Sequence, residues 1–109
     1  PAAVLIRALE PLEGEGLMRR RRARGTRRRP ESFSTPELCR GPGNLTRAMG
    51  ISLRDNHRDL TSGPLRIESR NIPSPPLSWS RRIGINVGVE TEWRVVAVGS
   101  AAVSGRRRR

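Results

Sequence analysis

The sequence has 109 residues, and 22 basic residues against 10 acidic ones give it a formal net charge of +12. A chain of this length forms one small domain or part of one, and it is strongly basic rather than acidic. Leu, Ile, Val and Phe make up 24 of the residues, slightly more than the roughly one fifth below which a highly charged chain stays unfolded. A large, self-sufficient hydrophobic core is therefore not expected.

The first predicted element is a buried β-strand over residues 2–10. Its apolar run is short and contains β-branched residues, and a Glu-Pro pair ends it. Arg7 breaks the apolar pattern, and a buried guanidinium without a partner costs several kcal/mol. We therefore expect Arg7 either to reach solvent or to be paired. Because the chain opens at Pro1, next to such a strand and without an initiator Met, we also expect that a preceding segment was cut away.

The next element carries much of the positive charge. All 22 basic residues of the chain are arginines, and eight of them fall within positions 19–29. The four arginines at 19–22 would point to every side of a helix, so we predict that this stretch packs no face and is solvated or bound to a ligand. If about five of these arginines contacted phosphates, the affinity for nucleic acid would fall with salt at a logarithmic slope of about −4.5. The alternative is a disordered linker that stays solvated.

A short helix is predicted after the Gly-Pro-Gly-Asn segment at 41–44. Apolar residues recur at helical spacing over 45–49, Asn44 is the candidate N-cap, and Gly50 is the predicted end of the helix. A loop rich in Pro and Ser precedes it over 30–36. The helix has about two turns, so it is marginal without tertiary packing.

Three strands are predicted in the second half of the chain. One covers 65–68. Apolar residues alternate with other residues over 83–89, and a further apolar run covers 95–98, so these two strands predict a hairpin. Residues 73–76 are predicted to be a loop, and 105–109 a solvated basic tail.

Several classes of protein are excluded by what the sequence lacks. Its longest apolar runs are far shorter than the roughly 18 residues of a membrane span, and none has the layout of a signal peptide. Cys39 is the single cysteine, which excludes an internal disulfide and a multi-cysteine zinc site. No Gly-rich phosphate loop, Ser-His-Asp set or zinc pattern is present. We therefore expect a soluble, intracellular protein without a metal or other cofactor.

Several stretches, taken in chain order, resemble the alkyladenine (3-methyladenine) DNA glycosylases. The Arg-Ala-Leu-Glu-Pro and Gly-Pro-Gly segments are specific to this family in combination. The resemblance covers nearly all of the chain and corresponds to the carboxyl-terminal half of the family's domain. The stretches that carry it are 4–14, 18–19, 38–51, 59–60, 82–85, 93–94 and 103–104.

The resemblance implies a monofunctional enzyme that hydrolyses the N-glycosidic bond of alkylated purines in base excision repair. Such an enzyme flips the damaged base out of the duplex and positions a water molecule at the sugar carbon. By motif position, Arg7 and the backbone carbonyl of Ile83 match the groups that help to hold this water. The glutamate that activates the water belongs to the half that is absent here, so we expect the 109 residues alone to have no glycosylase activity.

The resemblance also implies a partner, double-stranded DNA that contains alkylated purines. We expect a monomer that acts in the bacterial cytoplasm, associated with the nucleoid when bound to DNA, and that contacts no membrane. The arginines are expected to position the DNA rather than to read its sequence, and ordinary surface charge is the alternative for Arg54. The candidate DNA-binding residues are Arg19, Arg21, Arg22, Gly43, Asn44, Arg47 and Arg54.

The expected fold class is mixed α/β (α+β). Residues 1–104 are expected to form the carboxyl-terminal portion of one glycosylase domain, with an Arg-rich helix and loop over 19–36. Its sheet should be curved, largely antiparallel and similar to an open barrel, with small helices at the periphery, and it should be incomplete in this chain. The alternative function, from a different class, is a non-catalytic Arg-rich module that binds nucleic acid.

Overall fold

The computed structural model describes residues 3–70, 73–80 and 94–103, which form a small α+β fold. Two α-helices, α1 (Glu15–Ala23) and α2 (Pro42–Met49), come first in the chain. Two strands follow, β1 (Leu77–Ser80) and β2 (Arg94–Ala97). Short 3₁₀ helices at Pro30–Ser32 and Leu53–Asp55 lie in the connections. The mixed fold class expected from the sequence is thus observed.

Helix α1 contains the first four arginines of the run, and its charges suit the helix dipole. Glu15 lies in the first turn, and Arg20, Arg21 and Arg22 lie in the last turn. An acidic group near the amino terminus and basic groups near the carboxyl terminus each stabilise a helix, and Leu, Met and Arg are good helix formers. The sequence therefore favours a helix here although its apolar stripe is weak.

Helix α2 ends where the sequence predicts and begins earlier. Gly50 is the C-cap, with φ of 71°, so the predicted end is confirmed. The predicted N-cap, Asn44, is wrong: Gly41 is the N-cap and Pro42 occupies the first turn, where its missing N–H costs nothing. The side-chain amide of Asn44 instead donates to the carbonyl of Arg40 at 2.9 Å.

The core lies between the two helices and the loop that joins them. Helix α1 packs against α2, and the partly buried Met18, Ala23, Met49 and Ile51 surround the buried residues. The core is small, as the apolar content of the sequence leads one to expect. Its buried members are Phe33, Leu38, Cys39, Leu45 and Ala48.

The predicted buried strand over 2–10 is wrong for the residues that the structure describes. Residues 3–10 form no strand, and their pairing is limited to an isolated antiparallel bridge between Ala8 and Arg40. Val4 is 91% exposed and Leu5 is 64% exposed. An apolar run is buried only where other elements cover it, and within the described ranges nothing covers this one.

The two observed strands form an antiparallel ladder in which Leu77 lies opposite Ala97. The strand predicted over 95–98 is confirmed, shifted by one residue. Its predicted partner over 83–89 lies outside the described residues, whereas the observed partner, β1, was not predicted. The strand predicted over 65–68 is wrong: these residues pair with no strand in the described part of the chain, and the amide of Ile67 donates to the carbonyl of Leu60 at 2.8 Å.

Candidate nucleic-acid interface

The arginines of α1, with Arg24 at its C-cap, divide between two sides of the helix. Arg19 and Arg22 turn towards the loop over 33–38, where they donate hydrogen bonds to backbone carbonyls. Arg20, Arg21 and Arg24 turn towards the end of α2, where they line a cleft. The prediction that the run packs no face is therefore wrong. An arginine has a long apolar stem and five donors, so it can cover a loop and satisfy its carbonyls at the same time.

Among the arginines that the structure describes, Arg22 is the most buried, at 8% exposed. Its Nη1 donates to the carbonyl oxygens of Glu37, at 2.6 Å, and Leu38, at 2.7 Å. Its guanidinium also lies 4.8 Å from the ring centroid of Phe33. Burial lowers the pKa of Arg22 from its usual value. Arg22 is one of the predicted DNA contacts, but its guanidinium is buried and bonded to the loop.

Arg19 belongs to a polar network at the start of α1. Its guanidinium donates to the carbonyl of Phe33 at 3.0 Å, to Glu15 at 3.2 Å and to the hydroxyl of Thr35 at 3.2 Å. The Thr35 hydroxyl in turn donates to the Glu15 carboxylate at 2.7 Å. This hydroxyl, followed by Arg19, lowers the pKa of Glu15. The Arg19 guanidinium is thus partly occupied by contacts within the chain.

A second group of side chains closes the loop over the core. The guanidinium of Arg28 lies 3.8 Å from the ring centroid of Phe33, on which it stacks. Arg28 also donates to both carboxylate oxygens of Glu37, at 3.1 Å and 3.4 Å. The Arg28 side chain and then the Ser34 backbone amide lower the pKa of Glu37 to about 2. These contacts order the loop through which Arg22 is buried.

The main candidate site is a cleft between α1, the end of α2 and the following 3₁₀ helix, with a volume of about 610 Å³. We call it the arginine cleft. Five of its seven lining residues are arginines, and none is acidic. Of the residues predicted to bind DNA, the structure brings Arg21, Arg47 and Arg54 together here. The lining residues are Leu17, Arg20, Arg21, Arg24, Arg47, Gly50 and Arg54.

Two of these arginines are anchored to backbone carbonyls. Nη1 of Arg21 donates to the carbonyl of Ala48 at 3.0 Å, and Nη2 of Arg47 donates to the carbonyls of Arg22 at 3.1 Å and Arg24 at 2.9 Å. These carbonyls lie towards the carboxyl ends of the helices, where an α-helix leaves acceptors unpaired. Each guanidinium keeps further N–H groups that these bonds do not use.

Gly50 leaves room for the anchored guanidinium of Arg21. A Cβ at this position would lie 3.0 Å from the Arg21 Cζ and 3.2 Å and 3.3 Å from its terminal nitrogens. The φ of 71° also favours glycine, because side chains rarely adopt it. Gly50 therefore ends α2 and, because it has no side chain, leaves space for the Arg21 guanidinium in the arginine cleft.

The other three arginines of the cleft have exposed side chains. Within the described ranges, Arg20, Arg24 and Arg54 donate no side-chain hydrogen bond. Arg20 and Arg24 belong to the basic run but are not among the individual site residues predicted from the sequence. The signal was present, since Leu17, Arg20, Arg21 and Arg24 have the i, i+3, i+4, i+7 spacing of one helix face.

Gly43 and Asn44 lie at the opposite end of α2. They are in the first turn of the helix, whereas the cleft takes Arg47 and Gly50 from its carboxyl end. Gly43 and Gly50 are seven positions apart, which is about 10 Å along the helix axis. The predicted DNA-binding residues thus do not share one surface: Arg19 belongs to neither group, and Arg22 is buried.

Arg7, the predicted catalytic arginine, is half-buried. Its Nε is buried and has no hydrogen-bond partner among the residues that the structure describes. The backbone just after it is tied down: Ala8 bridges to Arg40, and the Ser100 hydroxyl donates to the carboxylate of Glu10. A buried donor without an acceptor costs about 1–3 kcal/mol. A hydrogen-bond acceptor brought to the Nε of Arg7 would therefore remove this cost.

The second predicted catalytic group cannot be placed beside Arg7. Ile83, whose carbonyl was expected to help hold a water molecule, lies outside the described residues. In the described part of the chain, no group of three or more His, Cys, Asp or Glu side chains could hold a metal ion. None of the helices there is long and apolar enough to cross a membrane.

Comparison with known proteins decides the family. Residues 1–101 match the sequence model of the methylpurine-DNA glycosylase (MPG) family. The chain belongs to the methylpurine-DNA glycosylase family. The resemblance seen in the sequence is therefore confirmed, and with it the connection to DNA glycosylases and DNA repair.

The curated relatives of this methylpurine-DNA glycosylase family member are bacterial proteins provisionally named 3-methyladenine DNA glycosylases. One from Chlorobium phaeovibrioides is 40% identical over 103 residues, which cover 94% of this chain and 48% of the relative. One from Bacillus subtilis is 41% identical over 107 residues, with 95% and 50% covered. One from Rubrobacter xylanophilus is 40% identical over 99 residues, with 90% and 47% covered. The chain thus spans about half the length of these relatives.

Proposed function

We propose that this chain forms the carboxyl-terminal part of a DNA glycosylase that releases alkylated purines, chiefly 3-methyladenine, in base excision repair. The observation that carries the proposal is the family match over residues 1–101. The names of the relatives support this substrate. Because the chain spans about half of each relative, we also propose that catalysis needs residues beyond these 109, including an activating glutamate.

Arg7 is the catalytic side chain of the proposal. Its buried Nε lacks an acceptor in the described residues, and a carboxylate supplied from elsewhere would satisfy both its charge and its hydrogen bonds. Together with the carbonyl of Ile83, Arg7 would hold the attacking water in line with the sugar carbon. Alkylation of a purine ring nitrogen makes the base cationic and a good leaving group, so positioning of this water supplies much of the catalysis.

The proposed substrate is double-stranded DNA, bound by a monomer in the bacterial cytoplasm. Arg19, Arg21, Arg47 and Arg54, with Gly43 and Asn44 at the other end of α2, are the proposed contacts. The burial of Arg22 argues against a direct contact with a phosphate. We further propose that the complete domain has a curved, open-barrel-like sheet, to which β1 and β2 contribute and which would cover the exposed Val4 and Leu5.

Release of 3-methyladenine from methylated DNA tests the proposal. The 109-residue chain alone should release none. The chain fused to the half of the Bacillus subtilis relative that it does not cover should release the base, and Arg7→Met in that fusion should lower single-turnover release by more than about tenfold, which corresponds to about 1.4 kcal/mol. Arg27→Met is the matched control, since Arg27 is exposed and lines no part of the cleft.

Two results would contradict the proposal. Release of the base by the unfused chain would show that no further residues are needed. A folded fusion that binds DNA but releases no base would favour the non-catalytic module. Circular dichroism and binding to DNA with an abasic-site analogue establish whether the fusion is folded.

A further inference from the structure

The arginine cleft concentrates positive charge, and one of its arginines, Arg54, also interacts with the neighbouring carboxylate of Asp55. Five guanidinium groups line about 610 Å³, and none of the lining residues is acidic. Like charges this close repel one another, and an anion in the cleft would relieve that repulsion. Other arginines of the chain form direct salt bridges: Arg28 pairs with Glu37 and Arg58 pairs with Asp55.

The cleft is also built in advance of any ligand. Arg21 and Arg47 are fixed by hydrogen bonds to carbonyls from Ala48, Arg22 and Arg24. A donor that is already ordered loses little conformational entropy on binding. The planar guanidinium is matched to the oxygens of a phosphate group. Arg20, Arg24 and Arg54 add exposed groups that can close around the ligand.

The size of the cleft favours several phosphates over one. Its volume falls within the range of about 300–1,000 Å³ that holds ligands much larger than a single phosphate ion. Five arginines also exceed what one phosphodiester, with its single negative charge, can neutralise. Consecutive phosphates of a polynucleotide strand supply charge at regular spacing.

We propose that the arginine cleft binds consecutive phosphate groups of one DNA strand, independently of base sequence and of the damaged base. Arg20 and Arg24 join Arg21, Arg47 and Arg54 as its phosphate ligands. The choice of DNA as the source of the phosphates rests on the proposed function. Such a site carries no sequence information and fixes the position of the protein on the duplex.

The test compares two triple variants that lose the same charge. Arg20→Gln, Arg24→Gln and Arg54→Gln together remove the exposed groups of the cleft. Arg27→Gln, Arg29→Gln and Arg70→Gln remove three exposed arginines that do not line it. Fluorescence anisotropy with a short unmodified duplex then gives the dissociation constant over a range of salt concentrations.

The expected result is a selective loss of salt dependence. The cleft variant should flatten the logarithmic salt slope by about 2.7, which is about 0.9 for each lost phosphate contact, whereas the control should flatten it by less than about 1. Equal changes in the two variants would overturn the proposal, since diffuse charge would then account for binding. If the triple variant fails to fold, the three single substitutions should each flatten the slope by about 0.9.

Two further arms separate the sources of phosphate and the two proposals. Inorganic pyrophosphate should bind the wild-type chain more weakly than the duplex does; if it binds more tightly, the cleft is a site for free polyphosphate and the proposal is wrong. An alkylated duplex should bind with the affinity of the unmodified one. If the cleft variant selectively loses DNA binding but the fusion releases no base, the phosphate site is supported and the proposed function is contradicted. If the fusion releases the base but the cleft variant loses no more binding than the control, the proposed function is supported and the phosphate site is contradicted.

Discussion

Nη1 of Arg22, in the last turn of α1, lies 2.7 Å from the carbonyl oxygen of Leu38, a residue with no exposed surface. This bond joins the arginine run to the centre of the hydrophobic core. A loop that passes through a core leaves carbonyls in need of donors, and here the donor is a side chain of the most charged segment in the chain. Part of the basic run is therefore structural.

Replacing Arg22 by Met should destabilise the fold strongly. The substitution keeps most of the apolar stem but removes the donor to the carbonyl of Leu38 and leaves the carbonyl of Glu37 with the long bond from the Arg40 amide, at 3.5 Å. Hydrogen bonds from charged groups contribute about 1.5–3 kcal/mol, and we expect a loss of about 2–3 kcal/mol in urea unfolding. Arg20→Met, on the exposed side of the same helix, should change stability by less than about 0.5 kcal/mol. If Arg22→Met and Arg20→Met lower stability equally, the hydrogen bonds of Arg22 to the loop do not stabilise the fold.

The helices show how far local sequence signals reach. The end of α2 at Gly50 could be predicted, because a glycine at the C-cap is a local requirement. The sequence could not predict that Arg19 and Arg22 bond to the loop while Arg20 stays exposed, because the acceptor carbonyls lie 14 to 16 residues away in the chain. Helical spacing alone could have grouped Arg20 with Arg21, but the contribution of Arg54 to the same cleft requires the tertiary fold.

The apolar segments were harder to predict than the helices. The run that includes Val4 and Leu5 predicts burial from composition, yet burial depends on covering elements that the described residues do not supply. Strand β1 contains two serines and has exposed side chains, so it lacks a strong strand pattern and was missed. The sequence predicts that Arg7 either reaches solvent or is paired, but among the described residues it is half-buried and its Nε has no hydrogen-bond partner.

Gly50 should be needed for stability because it has a positive φ and leaves space for Arg21, whereas a helical glycine without these constraints should not be needed. Gly50→Ala places a Cβ 3.0 Å from the Arg21 guanidinium carbon and forces a side chain into φ of 71°. We expect a destabilisation of about 1–2 kcal/mol, measured by thermal unfolding. Gly43→Ala is the matched control, since a Cβ there meets nothing within 4 Å. A helical glycine in open space should gain about 0.5–1 kcal/mol on change to alanine.

Cys39 should react slowly with thiol reagents in the folded protein. It is 1% exposed, its sulfur lies 4.0 Å from that of Met18, and burial raises the pKa of its thiol. Both the access and the thiolate fraction are therefore low. Labelling with a maleimide near pH 7 should be faster in denaturing urea than in buffer by about tenfold or more. Unfolding exposes the thiol and removes the burial that raises its pKa. Equal rates would show that the core around Cys39 opens freely.

Acid should weaken the fold partly through Glu37. Its pKa falls from the usual 4.5 to about 2, first because Arg28 donates to the carboxylate and then because the Ser34 amide does. The pKa is lower in the folded state, so ionised Glu37 stabilises the fold above about pH 4.5, and this stabilisation is lost as the pH falls towards about 2. After allowance for solvent screening, the contribution at neutral pH should be about 1–2 kcal/mol.

Urea unfolding at a series of pH values measures that contribution. Glu37→Gln should lower stability near neutral pH and should unfold with a shallower dependence on pH in the acid range than the wild type. Glu31→Gln is the control, because Glu31 is 71% exposed and its pair with Arg29, at 3.7 Å, should contribute no more than about 1 kcal/mol. If Glu37→Gln keeps the full acid dependence, the lost stability resides in other carboxylates, of which Glu15 and Asp55, whose pKa values are also lowered, are the next to replace.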